Sequence, residues 1–158
     1  MDKKEIIKHA EFAQVGFVVD DIEATKRKFA DLFGCEMPQT VNGGDYKTTQ
    51  TTIGGKTAPE ANCLLAFFDL TPGVQLELIE PNEKHSVWRD ELERCGEGIH
   101  HIAFNVDDTV KVVEQLEESF EGVVEQQGYY ADGSGRYTYL SLHKLLKCRI
   151  ELLESFNK

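Results

Sequence analysis

QVGFVVDD, residues 14–21, returns as HIAFNVDD at residues 101–108, and LELIE at 76–80 returns as IELLE at 150–154. Each copy opens on a residue able to bind a metal, Gln14 or His101, and closes on a strand-borne carboxylate, Glu77 or Glu151. Two related half-domains in one short chain usually pack about a pseudo-two-fold axis. That arrangement can bring all four residues to one place.

The same plan is legible around each repeat. Residues 11–19 read as a strand, and Asp20 and Asp21 are N-cap candidates for a helix over 22–33 that Gly34 closes. In the second copy a strand at 99–106 meets Asp107 and Asp108. A helix then runs to about Phe120, with Val113, Leu116 and Phe120 on one stripe. Further strands are expected within 47–53, at 63–70 and at 74–80, then at 123–130, 136–142 and 148–153. Glycine-rich turns at 43, 54, 71–73 and 133–135 separate them. The fold class is therefore α+β, with two tandem βαβββ modules over 12–81 and 99–155. A linker over 82–98 carries a short helix that Ser86 caps and that ends near Gly96, and the whole makes one domain.

Strand side chains change face at every residue, which sorts the repeats into two sides. Val15, Phe17 and Val19, like Ile102, Phe104 and Val106, form bulky faces suited to cover helices. The other side carries Gln14 or His101 followed by a small residue, Gly16 or Ala103, which leaves space beside the polar group. Glu77 and Glu151 lie on the non-helix face of apolar strands, where a carboxylate is costly to bury unless paired, protonated or metal-bound. Glu80 and Glu154 face the other way and read as solvated, and His100 reads as structural.

Composition removes several function classes. At 158 residues the chain can bury a real core. A net charge of −11, from 28 acidic against 17 basic residues, repels nucleic acid and anionic lipid. No apolar run approaches the ~20 residues that cross a bilayer, and the first residues do not read as a secretory signal, so a cytoplasmic protein is expected. The four cysteines are scattered without a CxxC pair and read as reduced thiols. His9, His85 and His143 have no partner at ligand spacing and read as surface residues. Trp88 reads as the anchor of the linker helix, residues 128–137 as a hairpin connection, and Arg136 as the nearest anion contact.

Paired βαβββ modules with strand motifs (H/Q)xxxxVxD and xEL resemble the vicinal oxygen chelate superfamily, which includes glyoxalase I and methylmalonyl-CoA epimerase. The resemblance implies a metal-centred, cup-shaped mixed sheet in which Gln14, Glu77, His101 and Glu151 hold one divalent ion, Zn, Co, Ni, Mn or Fe(II). LELIEP, SVWRDEL and GEGIHHIAFNVDD are similar to the epimerase-like branch, whereas a Gln, Glu, His, Glu set is similar to some glyoxalase I enzymes. LHKLLKC at 142–148 departs from the HP or DP turn common before the last ligand strand.

What the resemblance implies for activity is a metal-dependent isomerase or epimerase that moves a proton on the carbon next to a carbonyl. Glu151 and Glu77 would be the catalytic carboxylates, and Glu151 the first choice of base. A small carbonyl substrate is implied, with a CoA or glutathione adduct as its carrier, and a homodimer is expected. The alternatives are a lactoylglutathione lyase and a non-catalytic small-molecule binding protein.

Overall fold

Polar caps and apolar stripes start and stop the elements where the local sequence calls for them. The structure is a computed structural model, and it describes residues 6–7 and 10–156. The first half holds strand β1 (Glu11–Val18), helix α1 (Ile22–Phe33), β2 (Val41–Asn42), α2 (Tyr46–Thr49), β3 (Thr52–Ile53), β4 (Lys56–Thr57), β5 (Cys63–Thr71) and β6 (Val74–Pro81). Helix α3 (Val87–Cys95) links it to β7 (Gly98–Asn105), α4 (Thr109–Phe120), β8 (Val123–Tyr129), β9 (Gly135–Ser141), α5 (His143–Leu146) and β10 (Arg149–Ser155).

Asp21 accepts from the backbone N–H of Ala24, and Asp108 from that of Lys111, so both expected caps form. Gly34 closes α1 at φ 65°, the left-handed conformation that glycine adopts without steric cost. Glu80 and Glu154, expected to be solvated, instead accept from the first-turn N–H groups of Ile22 and Thr109 at 2.7 and 2.9 Å. Free N–H groups and the positive end of the helix dipole draw these carboxylates in. Each half thus ties its own last strand to its own helix.

All described strands join one mixed sheet in the order β2-β5-β6-β1-β7-β10-β9-β8-β3-β4. β1 and β7 pair antiparallel at its centre, and β6 and β10 flank them in parallel. Phe17, Leu76 and Leu78 pack under α1, and Ile102, Phe104, Ile150 and Leu152 pack under α4, as the alternation requires. Leu78, Leu140 and Leu152 are fully buried, each contributing about 1.5–3 kcal/mol. On the concave side, α3 plugs one end by packing Val87, Trp88 and Leu92 against Val18, Ile79 and Tyr139. Ser86 caps α3 as expected, and buried Gln126 accepts from the N–H of Val87.

The strand expected within 47–53 forms at Thr52–Ile53, but it does not pair with the first half. Tyr46–Thr49 is a helical turn, and Thr52–Ile53 pairs with Gln127 and Gln126 of β8 in the second half. The segment between β2 and β3 therefore runs from one edge of the sheet to the other. Gly44 makes the crossing possible, because it has φ 115° and a Cβ there would stand 2.9 Å from the Cα of Ala131. Near the C-terminus, α5 occupies the LHKLLKC stretch, and Lys147 ends it at φ 62°.

Candidate metal centre

Register places the four sequence-selected residues in two rows across the central strands. Gly16 of β1 pairs with Glu77 of β6 on one side and His101 of β7 on the other. In the next row, Ala103 of β7 pairs with Gln14 of β1 and Glu151 of β10. Each row has a small residue in the middle and a polar residue on either side. Neighbouring strands lie about 4.8 Å apart, so the flanking side chains converge over the gap. The space beside His101 and Gln14 therefore comes from the small residue of the other half, while Glu77 and Glu151 flank the small residue of their own. Gly16 makes room for His101, since a Cβ on it would stand 2.0 Å from Cε1 of the ring.

Glu77, His101 and Glu151 are buried together within one chain, and one ligand atom of each lies within 4.8 Å of the others. His101 Nε2 stands 2.9 Å from Glu151 Oε2 and 3.3 Å from Glu77 Oε2. These three atoms have no partner outside their own trio, and His101 Nε2 can give a proton to only one of the two carboxylate oxygens at a time. Three such atoms crowded together are aimed at a common point. Side-by-side ligands of a divalent ion bound at about 2.0–2.2 Å stand about 3 Å apart, so the spacing fits such an ion. Gln14 is buried too and lines the same cavity. Its Nε2 donates to Gln75 Oε1 at 3.2 Å, which leaves its Oε1 without a partner. Two carboxylates, one imidazole and one amide oxygen suit a fairly hard divalent ion.

Alternation misplaced one residue. Gly16 pairs with His101 but Phe17 pairs with Ile99, so His100 is the extra residue of a β-bulge. The bulge brings His100 round beside His101, with the two Nδ1 atoms 3.0 Å apart and the rings at 87°. His100 Nε2 lies 3.4 Å from the carbonyl oxygen of Val87. If Nε2 of His101 is to offer its lone pair, Nδ1 must carry the proton and donate it to Nδ1 of His100. His100 then donates from Nε2 to Val87. The freed carbonyl of His100 accepts from Arg149, a buried cation that also bonds Glu125 at 2.6 Å. A histidine at an apolar, helix-facing position of the repeat is the sequence signal that something other than regular pleating occurs there.

Charge separates the two histidines. Burial pushes His100 well below the ordinary imidazole range, and the charges of His101 and Arg149 push the same way. Burial also opposes a charge on His101, but Glu151 and Glu77 outweigh it and lift the group to about 9. Glu77 is raised by burial and by the charge of Glu151, with His101 pulling it back.

The centre opens on a cavity of about 550 Å³, a size suited to a small organic molecule. Tyr137 and Tyr139 line it, and the Tyr139 hydroxyl accepts from Trp88 Nε1 at 3.1 Å. Trp88 is thus the expected anchor of α3 and part of the cavity wall as well. Residues 128–137 form the β8–β9 hairpin, whose tip closes one side of the cavity. Arg136, expected as an anion contact, is paired with Glu154 at 2.7 Å and does not line the cavity. His85 and His143 are exposed, bonded to Asp90 and Ser141, while His9 lies outside the described residues. The cysteines are free, and burial beside Glu77 and Glu151 keeps Cys63 a thiol. Among the described residues, no helix is long and apolar enough to cross a membrane.

The fold is shared with solved structures. A methylmalonyl-CoA epimerase in complex with methylmalonyl-CoA and NH4+ superposes with a TM-score of 0.67 at 20% identity, covering 94% of this chain and 96% of that one. A Streptomyces coelicolor methylmalonyl-CoA epimerase variant in complex with 2-nitronate-propionyl-CoA gives 0.66 at 20% identity, covering 93% and 95%. The Mycobacterium tuberculosis methylmalonyl-CoA epimerase gives 0.64 at 18% identity, covering 98% and 93%. No curated protein matches the sequence. The sequence pattern of one family, described as the glyoxalase/bleomycin resistance protein/dioxygenase superfamily, matches residues 13–139. With a match over most of its length, and with the central pairing of two similar halves, the chain belongs to the glyoxalase/bleomycin resistance protein/dioxygenase superfamily.

Proposed function

We propose that this protein is a divalent-metal-dependent isomerase or epimerase that moves a proton on the carbon next to a carbonyl, the reaction type of the methylmalonyl-CoA epimerases. The observation that carries the reading is the convergence of four buried atoms, Gln14 Oε1 without a partner and Glu77 Oε2, His101 Nε2 and Glu151 Oε2 with none outside their own trio. A single imidazole cannot satisfy both carboxylates, and each buried polar atom left over costs about 1–3 kcal/mol unless something binds it. These four residues would hold the ion. When bound, it supplies Lewis-acid stabilisation of the negative charge that develops on the carbonyl oxygen.

The chain's own residues handle the proton. Glu77 and Glu151 rise from β6 and β10, which flank the central strand pair, so they reach the cavity from opposite sides. Glu151 takes the proton from carbon, and the electron pair it leaves spreads onto the carbonyl oxygen. Glu77, which would then be free of the ion, returns a proton taken from solvent to the opposite face of the same carbon, which inverts it, and Glu151 loses its own proton to solvent. Trp88 and Tyr139 hold one wall in place and keep water from that side. All four polar residues can be supplied by one chain.

Calorimetric titration of chelator-treated protein with Zn, Co, Ni and Mn tests the reading, with solvent deuterium exchange at the carbon next to a carbonyl as the second measurement. One ion per chain at micromolar affinity or better is expected, weakened in the Glu77→Gln and Glu151→Gln variants. Absence of stoichiometric uptake of any of these ions would sink the reading and favour a non-catalytic small-molecule binding protein.

A further inference from the structure

The amide of Gln14 ends a relay of hydrogen bonds that crosses three strands. Asp69 of β5, Gln75 of β6 and Gln14 of β1 are register partners in one row of the sheet. The alternation that puts Glu77 on the cavity side of β6 puts Gln75 there too, and both line the cavity. Gln14 Nε2 donates to Gln75 Oε1 at 3.2 Å, and Gln75 Nε2 donates to Asp69 Oδ1 at 3.0 Å. Asp69 is exposed, Gln75 half-buried and Gln14 buried, so the relay runs from solvent to the centre.

The outermost group fixes the direction of the whole relay. A carboxylate only accepts, so Gln75 must turn its NH2 toward Asp69 and its carbonyl oxygen toward Gln14. That oxygen also only accepts, so Gln14 must answer with its own NH2 and leave Oε1 on the far side. With one amide turned over, two acceptors or two donors would face each other. The orientation is not the one that Gln14 would choose unaided. An unheld amide in a cavity lined by two buried carboxylates gains most by donating to them. Turned that way, it offers a cation no lone pair.

We propose that Gln75 and Asp69 are positioning residues that hold the Gln14 amide with its oxygen toward the centre, and thereby set the affinity of the centre for a divalent ion. The inference rests on the metal-dependent reading above and deepens it. Gln75 does for Gln14 what the His100 ring does for His101: it takes up the polar atom that faces away from the centre, so that the other faces in. The two supports are anchored differently. His100 reaches the carbonyl of Val87 in the buried interior, whereas Gln75 reaches an exposed carboxylate.

Cobalt titration of chelator-treated protein, followed by calorimetry and visible absorption, reads the effect without turnover. Gln75→Leu removes the acceptor without changing charge and should weaken binding by about tenfold. Asp69→Asn should weaken it by about threefold. The exchange Asp69→Asn/Gln75→Glu keeps an acceptor facing Gln14 and should bring affinity back to within about threefold of the unmodified protein or better. A double-mutant cycle separates positioning from general support of the fold. Gln14→Leu should weaken binding at least as much as Gln75→Leu, and the cobalt absorption bands should shift alike in both. Gln14→Leu/Gln75→Leu should then bind within about twofold of Gln14→Leu alone, because Gln75 acts only through Gln14. Additive losses in the double variant, or unchanged affinity in Gln75→Leu, overturn the inference. If the unmodified protein takes up no ion, the metal reading fails by itself and the orientation is read directly. In metal-free protein the Gln14 Nε2 protons should show nuclear Overhauser contacts to the Gln75 side chain, and absence of those contacts overturns the positioning role.

Discussion

Ala13-Gln14 in the first half and His100-His101 in the second occupy the same place in the repeat, and both strands are bulged there. Register shifts fall between Phe12 and Gln14 on β1 and between Gly16 and Phe17 opposite His100 on β7. The backbone device is therefore symmetric, while the side chains it re-aims are not. Where the first half turns in a methyl group, the second turns in an imidazole that contacts the adjacent His101. The difference teaches that one half holds its proposed ligand with a neighbouring ring and the other offers an amide oxygen without a partner. The same inequality appears at the sheet edges. β8 is a full strand of seven residues, whereas its first-half counterpart β2 keeps two, because the chain there leaves to cross the cup.

The strongest way to break this comparison is at the carboxylates, which are equivalent by register. Glu151→Gln should lower the deuterium exchange rate by about 10²–10⁴-fold, and Glu77→Gln by less, as a positioned proton-transfer group contributes that much. Equal losses would mean that neither face is preferred. Next come the two small residues. Gly16→Ala should weaken metal binding by about 10–100-fold and cost about 1–3 kcal/mol of stability, because a Cβ there meets the His101 ring. Ala103→Gly, its counterpart beside Gln14, should cost only about 0.5–1 kcal/mol in a chemical denaturation curve. His100→Ala copies the first half into the second. It should lower metal affinity by about tenfold while the fold, read by circular dichroism, stays intact.

A last test is a pH dependence that the two adjacent histidines oppose. In the metal-free protein His101 is lifted to about 9, so its stabilisation is complete below 6.5 and lost as pH rises through 9. His100 is pushed down, so the unfolded chain takes up its proton first and stability falls as pH drops below 6.5. Chelator-treated protein should therefore contribute from this pair a stability maximum near pH 6.5, with limbs no steeper than about 1.4 kcal/mol per pH unit per proton. Thermal melts across pH should lose the acid limb in His100→Ala and flatten the basic limb when an ion is added.

Much of this was legible in the chain. The doubled segments, the caps at Asp21 and Asp108, and the apolar faces under α1 and α4 follow from periodicity and local hydrogen bonding, which need no distant partner. Gln14, Glu77, His101 and Glu151 were separable from their neighbours because a strict two-residue period assigns faces. The failures occur where that period breaks or a distant partner intervenes. His100 was misplaced because a bulge removes the alternation on which the reading depended. The pairing of Thr52–Ile53 with the second half is not legible because a two-residue strand carries too little pattern to name its partner. Glu80 and Glu154 read as solvated, and Arg136 as an anion contact, because capping and pairing across tens of residues leave no local mark.

By itself the sequence determined that the chain repeats, where its helices begin, which faces are apolar and which four polar residues point away from the helices. Those properties are set by spacing and by residue chemistry. Tertiary structure alone decided that Gly16 serves His101 and Ala103 serves Gln14, since antiparallel pairing gives each half's space to the other's ligand. It also decided which cations are paired. Counting acids and bases could not show that the nearby cations were already spent, because ion pairing is a matter of distance in space rather than distance along the chain.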